Sequence, residues 1–130
     1  MRPRILLVDD DNDIAQGIQL RLNAAGFDCT IALDGQAGLT SALADPPQVI
    51  LLDVRLPKLD GIALLRELKG RAATEHVPVI MISASLVEQS NALDAGARFF
   101  LSKPYDGNRL LQTIQFALDE SAALIHPLEH

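Results

Sequence analysis

Two patterns of apolar residues follow one another along this chain: a short continuous run, and then apolar residues at helical spacing. The pair of patterns occurs five times. Short runs of consecutive apolar residues are typical of strands buried on both faces, and apolar residues at every third or fourth position are typical of amphipathic helices. The strands are predicted at residues 4–8, 28–32, 49–52, 79–82 and 99–101. Each strand is followed by a helical pattern, so five strand–helix units are expected.

The helical segments have recognisable starts and stops. The first is predicted from about Asn12 to a C-cap at Gly26, the second over about 35–44, the third over about 60–69, the fourth up to Gly96 and the last from about Asn108. Ser85 and Glu88 form a capping-box pattern that predicts the start of the fourth helix. Three inward-facing stripes are predicted: Ile14, Ile18, Leu22; Ile62, Leu65, Leu68; and Leu111, Ile114, Leu118, Ala122, Ile125.

Repeated strand–helix units with continuously apolar strands predict a parallel sheet with helices on both faces. Five units are too few for a barrel that needs eight strands. The expected fold is therefore α/β: a flavodoxin-like, doubly wound, five-stranded sheet in three α/β/α layers. Its strand order is 2-1-3-4-5, which places strands one and three side by side where the order reverses.

Polar side chains with chemical capability follow four of the five strands. Asp9, Asp10 and Asp11 follow the first strand, and single residues end the third, fourth and fifth: Asp53, Ser83 and Lys103. The second strand ends in Ala32 and Leu33, and the predicted order puts it on the outside. Because ligands of such sheets sit at the carboxyl ends of the strands, these side chains should converge in one cleft.

Several carboxylates in a small space repel one another and need a cation. The strand ends offer oxygen ligands and no histidine or cysteine, which favours Mg²⁺, held by Asp9 and Asp10. Lys103 supplies a point charge and Ser83 a hydroxyl donor for phosphoryl oxygens, so the predicted chemistry is phosphoryl transfer. Asp53, which stands alone, is the candidate nucleophile.

Asp11 and Asp13 are instead predicted to cap the first helix, whose N-terminus favours negative charge.

Composition limits the function classes. The 130 residues fit one domain, and a net charge of −6 with a pI near 4.8 argues against direct nucleic-acid binding and favours a partner with a basic surface. The single cysteine, Cys29, allows no internal disulfide and is expected to fill core space in a reducing compartment. No apolar run is long enough to span a membrane or to form a signal peptide. We therefore expect a cytoplasmic protein.

The domain is predicted over residues 1–125, followed by a tail of residues 126–130. Residues 128–130, Leu-Glu-His, resemble the start of a vector-encoded tag, and the domain is expected to come from a longer parent.

Four segments together resemble the receiver domain of two-component response regulators. They are LLVDDD, ILLDVRLPKLDG, VIMISA and GARFFLSKPY, and the resemblance extends from about Pro3 to Ser121. It implies that Asp53 accepts a phosphoryl group from the phosphohistidine of a histidine kinase. Asp10 and Asp53 would bind Mg²⁺ directly, Asp9 would bind it through water, and the backbone carbonyl of Arg55 would be a further ligand.

The resemblance also implies roles for other residues. Ser83 and Lys103 would contact the phosphoryl group, and the Lys103–Pro104 peptide bond would be cis. Phe100 would be the aromatic switch residue, and Arg55 and Ser85 would tune the lifetime of the phosphoaspartate.

The expected partners are a histidine kinase or phosphotransfer protein, and an output domain, a downstream protein or a second copy of the chain. The partner would use the face formed by the fourth helix, fifth strand and last helix. No enzymatic activity is expected beyond self-catalysed phosphotransfer and autodephosphorylation.

Three alternative functions have less support in the sequence. A haloacid-dehalogenase-like phosphatase would use Asp9 and Asp11, but it leaves Asp53 without a role. A calcium-binding loop needs glycine and glutamate where Ile14 and Leu20 stand. A receiver-like module that binds partners without phosphorylation is disfavoured because every chemical residue is present. His76 is expected to be exposed, and His126 lacks the surroundings of a phosphodonor.

Overall fold

Five strands and five helices alternate along the chain, as the hydrophobic pattern predicts. The computed structural model describes the backbone of residues 2–125 and the side chains of residues 2–121. The elements are β1 (Arg4–Val8), α1 (Asn12–Ala24), β2 (Asp28–Ala32), α2 (Gly35–Ala44), β3 (Val49–Asp53), α3 (Gly61–Lys69), β4 (Val79–Ser83), α4 (Val87–Asp94), β5 (Phe99–Ser102) and α5 (Gly107–Ile125). The strands form one parallel sheet in the order β2-β1-β3-β4-β5, which confirms the predicted fold.

The sheet separates two hydrophobic clusters because successive strand residues point to opposite faces. Leu6 and Val8 of β1 face the cluster that includes buried residues of α2, α3 and α4. Ile5 and Leu7 face the cluster that includes buried residues of α1 and α5. Cys29 belongs to the second cluster and is buried, as predicted. The helices therefore cover both faces of the sheet, and its carboxyl edge is left for loops.

Three strands extend one residue further than the apolar runs predict. Asp53 pairs with Ile82, and Ser83 pairs with Ser102, in the parallel register of the sheet. Main-chain pairing does not depend on the polarity of the side chain, so the ladder continues past the last apolar residue. The backbone of Asp53 and Ser83 is therefore fixed by the sheet itself.

The predicted inward stripe of α1 is partly wrong. Ile14 is 51% exposed, whereas its neighbour Ala15 is fully buried together with Leu22. At about 100° per residue, positions 15, 18 and 22 fall within about 60° of one another, while position 14 lies about 80° from position 22. The inward face is thus centred on the stripe through Ala15, and Ile14 lies at its margin.

The predicted capping box at the start of α4 is wrong. The residue before this helix is Leu86, and no side chain caps its first turn. Leu86 has φ −68° and ψ −18°, which are already helical, whereas a capping residue is normally extended. The chain turns into α4 through a backbone hydrogen bond from the Glu88 N–H to the Ser85 carbonyl, 3.3 Å long.

The inward stripe of α5 includes Ile114 as predicted, and the fully buried positions around it are Leu110 and Ala117. Leu111 and Leu118 are partly buried against the same cluster. The side chains of Ala122 and Ile125, and the whole tail 126–130 with His126 and the tag-like residues 128–130, lie outside the described residues. Across residues 2–125, no helix combines the length and the apolar character that a membrane crossing requires.

Candidate functional site

The site is built at the carboxyl edge of the sheet, where β1 and β3 are neighbours and their connections leave in opposite directions. The Asp9 N–H donates to the Ala32 carbonyl (3.0 Å), and the Val54 N–H donates to the Ile82 carbonyl (3.1 Å). These bonds continue the sheet to the residues that follow β1 and β3. The carboxylates of Asp9 and Asp53 therefore start from backbone positions that the sheet holds in place.

Three carboxylates converge here. One oxygen from each of Asp9, Asp10 and Asp53 lies within 4.8 Å of the others. Asp9 and Asp53 are only 5% and 9% exposed, whereas Asp10 faces solvent. A hard cation such as Mg²⁺ fits this set, because all donors are oxygens and the exposed carboxylate gives access from solvent.

The surroundings of Asp9 disfavour its negative charge. Burial raises the pKa of the Asp9 carboxyl, a hydrogen bond from the Asp11 N–H (3.0 Å) opposes this shift, and the negative charge of Asp53 raises the pKa again. The ionised form of Asp9 is therefore less favourable than it is in water, and a cation bound nearby would stabilise it.

Lys103 supplies a positive charge beside Asp53. Its Nζ donates to Asp53 Oδ2 at 3.0 Å. Burial by itself lowers the pKa of Lys103, but the hydrogen bond to Asp53 and the charges of Asp53 and Asp9 outweigh it, so the pKa is raised. The ammonium group thus stays charged at neutral pH. The Lys103–Pro104 peptide bond is cis, as the family resemblance implies.

The other carboxylate oxygen of Asp53 is held by its own loop, because Oδ1 accepts the Arg55 N–H at 3.0 Å. The Arg55 side chain is 84% exposed and its Nε lies 3.9 Å from Glu88 Oε1. Sequence reasoning assigned Glu88 to a helix cap and missed this contact, since nothing in the sequence brings the two segments together.

Ser83 is 4% exposed and its Oγ accepts the Ser85 N–H at 3.1 Å. That bond uses a lone pair of the hydroxyl, so the hydroxyl proton is left for an acceptor in the cleft. A cavity of about 350 Å³ is lined by Ala84 and by six of the predicted residues: Asp10, Asp53, Arg55, Ser83, Ser85 and Lys103. It combines anionic, cationic and hydroxyl groups around Asp53.

Two aromatic residues near Lys103 in the sequence pack on opposite faces of the sheet. Phe100 is partly buried and packs against the cluster of α2, α3 and α4, and its predicted switch role stays a prediction. Tyr105, which sequence reasoning did not single out, packs against the other cluster, and burial raises the pKa of its hydroxyl. Tyr105 lies two residues after Lys103, and this proximity in the sequence could have indicated that it lies near the site.

Asp11 lies outside the acidic cluster. Its Oδ1 accepts the Ile14 N–H at 3.1 Å, which confirms the predicted capping role of Asp11, and Asp13 lies in the first turn of α1, where the helix N-terminus favours negative charge. A dehalogenase-like phosphatase would need Asp11 beside Asp9, so this geometry gives that alternative no support. His76 is exposed, as predicted.

Comparison with known proteins gives one consistent result. The model of the family described as "Response regulator receiver domain" matches residues 5–115. The transcriptional regulatory protein CseB of Streptomyces coelicolor is 41% identical over 116 residues, which cover 88% of this chain and 48% of that protein. The DNA-binding dual master transcriptional regulator RpaA of Synechocystis is 32% identical over 130 residues, which cover 98% of this chain and 54% of that protein. The chain thus spans about half the length of these two relatives.

A solved structure supports the same comparison. The chemotaxis response regulator CheY4 of Vibrio cholerae is 27% identical, with a TM-score of 0.85 over 91% of this chain and 100% of that chain.

Proposed function

The chain belongs to the response regulator receiver domain family, and we propose that it accepts a phosphoryl group on Asp53 from the phosphohistidine of a histidine kinase or phosphotransfer protein, in a Mg²⁺-dependent reaction. The observation that carries this proposal is the contact of Lys103 Nζ with Asp53 Oδ2, 3.0 Å, beside the three-carboxylate cluster. A carboxylate that contacts a cation and belongs to a group of oxygen ligands supports the proposed roles of Asp53 as nucleophile and metal ligand.

In the proposed step, an oxygen of the Asp53 carboxylate attacks the phosphorus, and the bond between phosphorus and the donor's imidazole nitrogen breaks. The electron pair of that bond stays on the ring nitrogen, and an acyl phosphate forms on Asp53. Lys103 moves its hydrogen bond from the carboxylate to a phosphoryl oxygen, and the Ser83 hydroxyl donates to another. Lys103 and Ser83 thereby stabilise the negative charge on the phosphoryl oxygens while the group is being transferred.

The residues that would hold Mg²⁺ are Asp10 and Asp53 directly, Asp9 through water, and Arg55 through its backbone carbonyl. When bound, Mg²⁺ neutralises the carboxylates and the incoming phosphoryl oxygens. The support for this choice of ion is the all-oxygen donor set of the cluster.

We further propose that the chain catalyses only this transfer and the later hydrolysis of its own phosphoaspartate, and that it works in the cytoplasm. The signal would reach an output domain, a downstream protein or a second copy of the chain through the face formed by α4, β5 and α5. The relatives that carry transcriptional regulator names are consistent with an output of this kind.

The test is covalent labelling with phosphoramidate and Mg²⁺, read by intact mass and peptide mapping. One base-labile phosphoryl group is expected on Asp53, and Asp53→Asn should remain unlabelled. Asp13→Asn, which changes a carboxylate outside the cluster, is the matched control and should label like the wild type.

Full labelling of Asp53→Asn would refute the assignment of the nucleophile. A wild-type chain that accepts no phosphoryl group from phosphoramidate or from a phosphorylated histidine donor would favour a phosphorylation-independent binding module.

A further inference from the structure

The loop between β3 and α3, residues 54–60, is held in an unusual shape. It doubles back so closely that a Cβ on Gly61 would lie 2.3 Å from the Asp53 carbonyl oxygen. The Gly61 N–H donates to the Val54 carbonyl at 2.8 Å, and Lys58 has φ 68°, in the left-handed region. A residue with a side chain is disfavoured in that region, so contacts from elsewhere must stabilise the loop.

The start of α2 provides such a contact. Gly35 is buried, and a Cβ on it would lie 2.1 Å from the Leu59 carbonyl oxygen and 2.9 Å from the Leu59 carbonyl carbon. These are backbone atoms, which cannot turn aside as the end of a flexible side chain can. Glycine is thus the residue that lets the first turn of α2 lie directly against the loop.

Asp34 adds a second contact between the same segments. Its carboxylate caps α2 by accepting the Ala37 N–H at 2.8 Å, and its Oδ2 lies 3.5 Å from Lys58 Nζ. Lys58 is 71% exposed, so this ion pair contributes little by itself. Lys58 is the residue before Leu59, so the ion pair and the Gly35 contact both join the start of α2 to the same part of the loop.

A backbone displacement at Leu59 is expected to displace the backbone of Arg55, four residues earlier in the same loop. Pro57 lies between them, and its ring fixes its own φ and restricts the residue before it. The far end of the segment is fixed, since the Arg55 N–H donates to Asp53 Oδ1 at 3.0 Å. A carbonyl ligand is positioned by backbone torsions alone, so it cannot recover its place by a change of rotamer.

We propose that the Asp34–Gly35 start of α2 is a positioning element of the metal site, which holds the β3–α3 loop through Leu59 and Lys58 so that the Arg55 carbonyl can serve as the Mg²⁺ ligand that the proposed function assigns to it. This inference rests on the proposed Mg²⁺-dependent function. Groups behind the direct ligands commonly change metal affinity by about 10–100-fold when they are altered.

The test is calorimetric titration of the folded chain with Mg²⁺ at neutral pH. Gly35→Ala is expected to weaken binding by about tenfold or more. Asp34→Asn keeps an N-cap and removes only the ion pair, so its effect should be smaller. The matched control is Ala42→Gly, which destabilises the same helix about 10 Å further along its axis and should leave the dissociation constant unchanged.

A second measurement separates loss of a ligand from general loosening. With Mn²⁺ as the probe, magnetic resonance counts the water molecules bound to the metal, and Gly35→Ala should gain one water in place of the carbonyl. If Gly35→Ala fails to fold, Leu59→Gly keeps the Leu59 carbonyl that lies against Gly35 but frees the torsions of the loop at this point, and it should weaken binding in the same direction.

The outcomes distinguish the two proposals. If the wild type binds Mg²⁺, Asp10→Ala does not, and the folded Gly35→Ala or Leu59→Gly variant binds as tightly as the wild type, the positioning role is wrong and the proposed function stands. If the wild type itself does not bind Mg²⁺, both are wrong.

Discussion

Asp9 is the residue on which burial and charge conflict most. Asp9 is 5% exposed. Its pKa is raised, mainly by burial and also by the negative charge of Asp53. Where the pKa of a carboxyl is higher in the folded than in the unfolded chain, the folded chain binds the proton more tightly. The contribution of Asp9 to the free energy of unfolding therefore falls as the pH rises from its ordinary pKa through its raised value. Above that window, Asp9 destabilises the metal-free fold.

Asp9→Asn is expected to stabilise the metal-free chain at pH 7 by about 0.5–2 kcal/mol, the usual range for a single stabilising substitution. The amide oxygen can still accept the Asp11 N–H, while the buried charge is removed. The advantage should shrink as the pH is lowered through the raised pKa of Asp9 toward its ordinary value, because the wild-type carboxyl then takes up a proton. Urea unfolding in the presence of a chelator measures both effects, with Asp13→Asn as the control. A constant difference between pH 4 and pH 7 would contradict this explanation.

At the scale of elements, the helices differ in how their first turns are stabilised. The N-caps of α1, α2 and α3 are Asp11, Asp34 and Asp60, and each side chain accepts a backbone N–H three residues ahead. The fourth helix has no such bond, and Ala92 is its one fully buried residue. Because little holds α4 against the sheet, it is the element most easily repacked when the adjacent site changes.

Hydrogen exchange should therefore be faster at the amides of α4 than at those of α3, which buries Leu64, Leu65 and Leu68. Asp60→Ala should speed exchange in the first turn of α3 by about fivefold, as expected for loss of a cap worth about 1 kcal/mol, and should leave α4 unchanged. Amide exchange followed by magnetic resonance provides the measurement. Equal protection of the two helices would show that the missing cap is compensated by contacts we have not recognised.

At the scale of the whole molecule, the site is connected to the proposed output face through the end of β4. Ser83 ends β4 immediately before the segment that leads to α4, and Phe100 lies on the neighbouring strand β5. A phosphoryl group that attracts the Ser83 hydroxyl would move the start of α4 and change the space available to the phenyl ring. Such a change is a shift between two packings, limited by how strongly the phosphoryl group favours one of them.

Beryllofluoride, which mimics a phosphoryl group, should therefore shift backbone amide signals in residues 83–93 and 99–111 as well as in the metal cleft. Ser83→Ala should suppress the shifts remote from Asp53, because the link to the phosphoryl group is removed. Ser90→Ala, an exposed position on α4, is the control and should keep them. Shifts confined to the cleft in the wild type would mean that the face of α4, β5 and α5 does not carry the signal.

Much of this protein was determined by local sequence patterns. The bounds of β1, β2 and α2 agree with the prediction to the residue, because continuous apolar runs and helix stop signals such as Pro46–Pro47 act over a few neighbouring positions. The four segments with chemical residues were identified in the same way, since each begins within two residues of the end of an apolar run. Their convergence followed from the strand order, which parallel strand–helix units restrict strongly.

Only the tertiary structure decided how those residues are used. The hydrophobic pattern does not distinguish Asp9 from Asp10, yet Asp9 is buried and Asp10 faces solvent. The pairing of Glu88 with Arg55 in place of a helix cap, and the contact of Gly35 with Leu59, join segments that are separate in the chain. Such contacts depend on how whole elements pack across the sheet edge, and the packing is determined by the volume and charge of many residues together, which no short pattern contains.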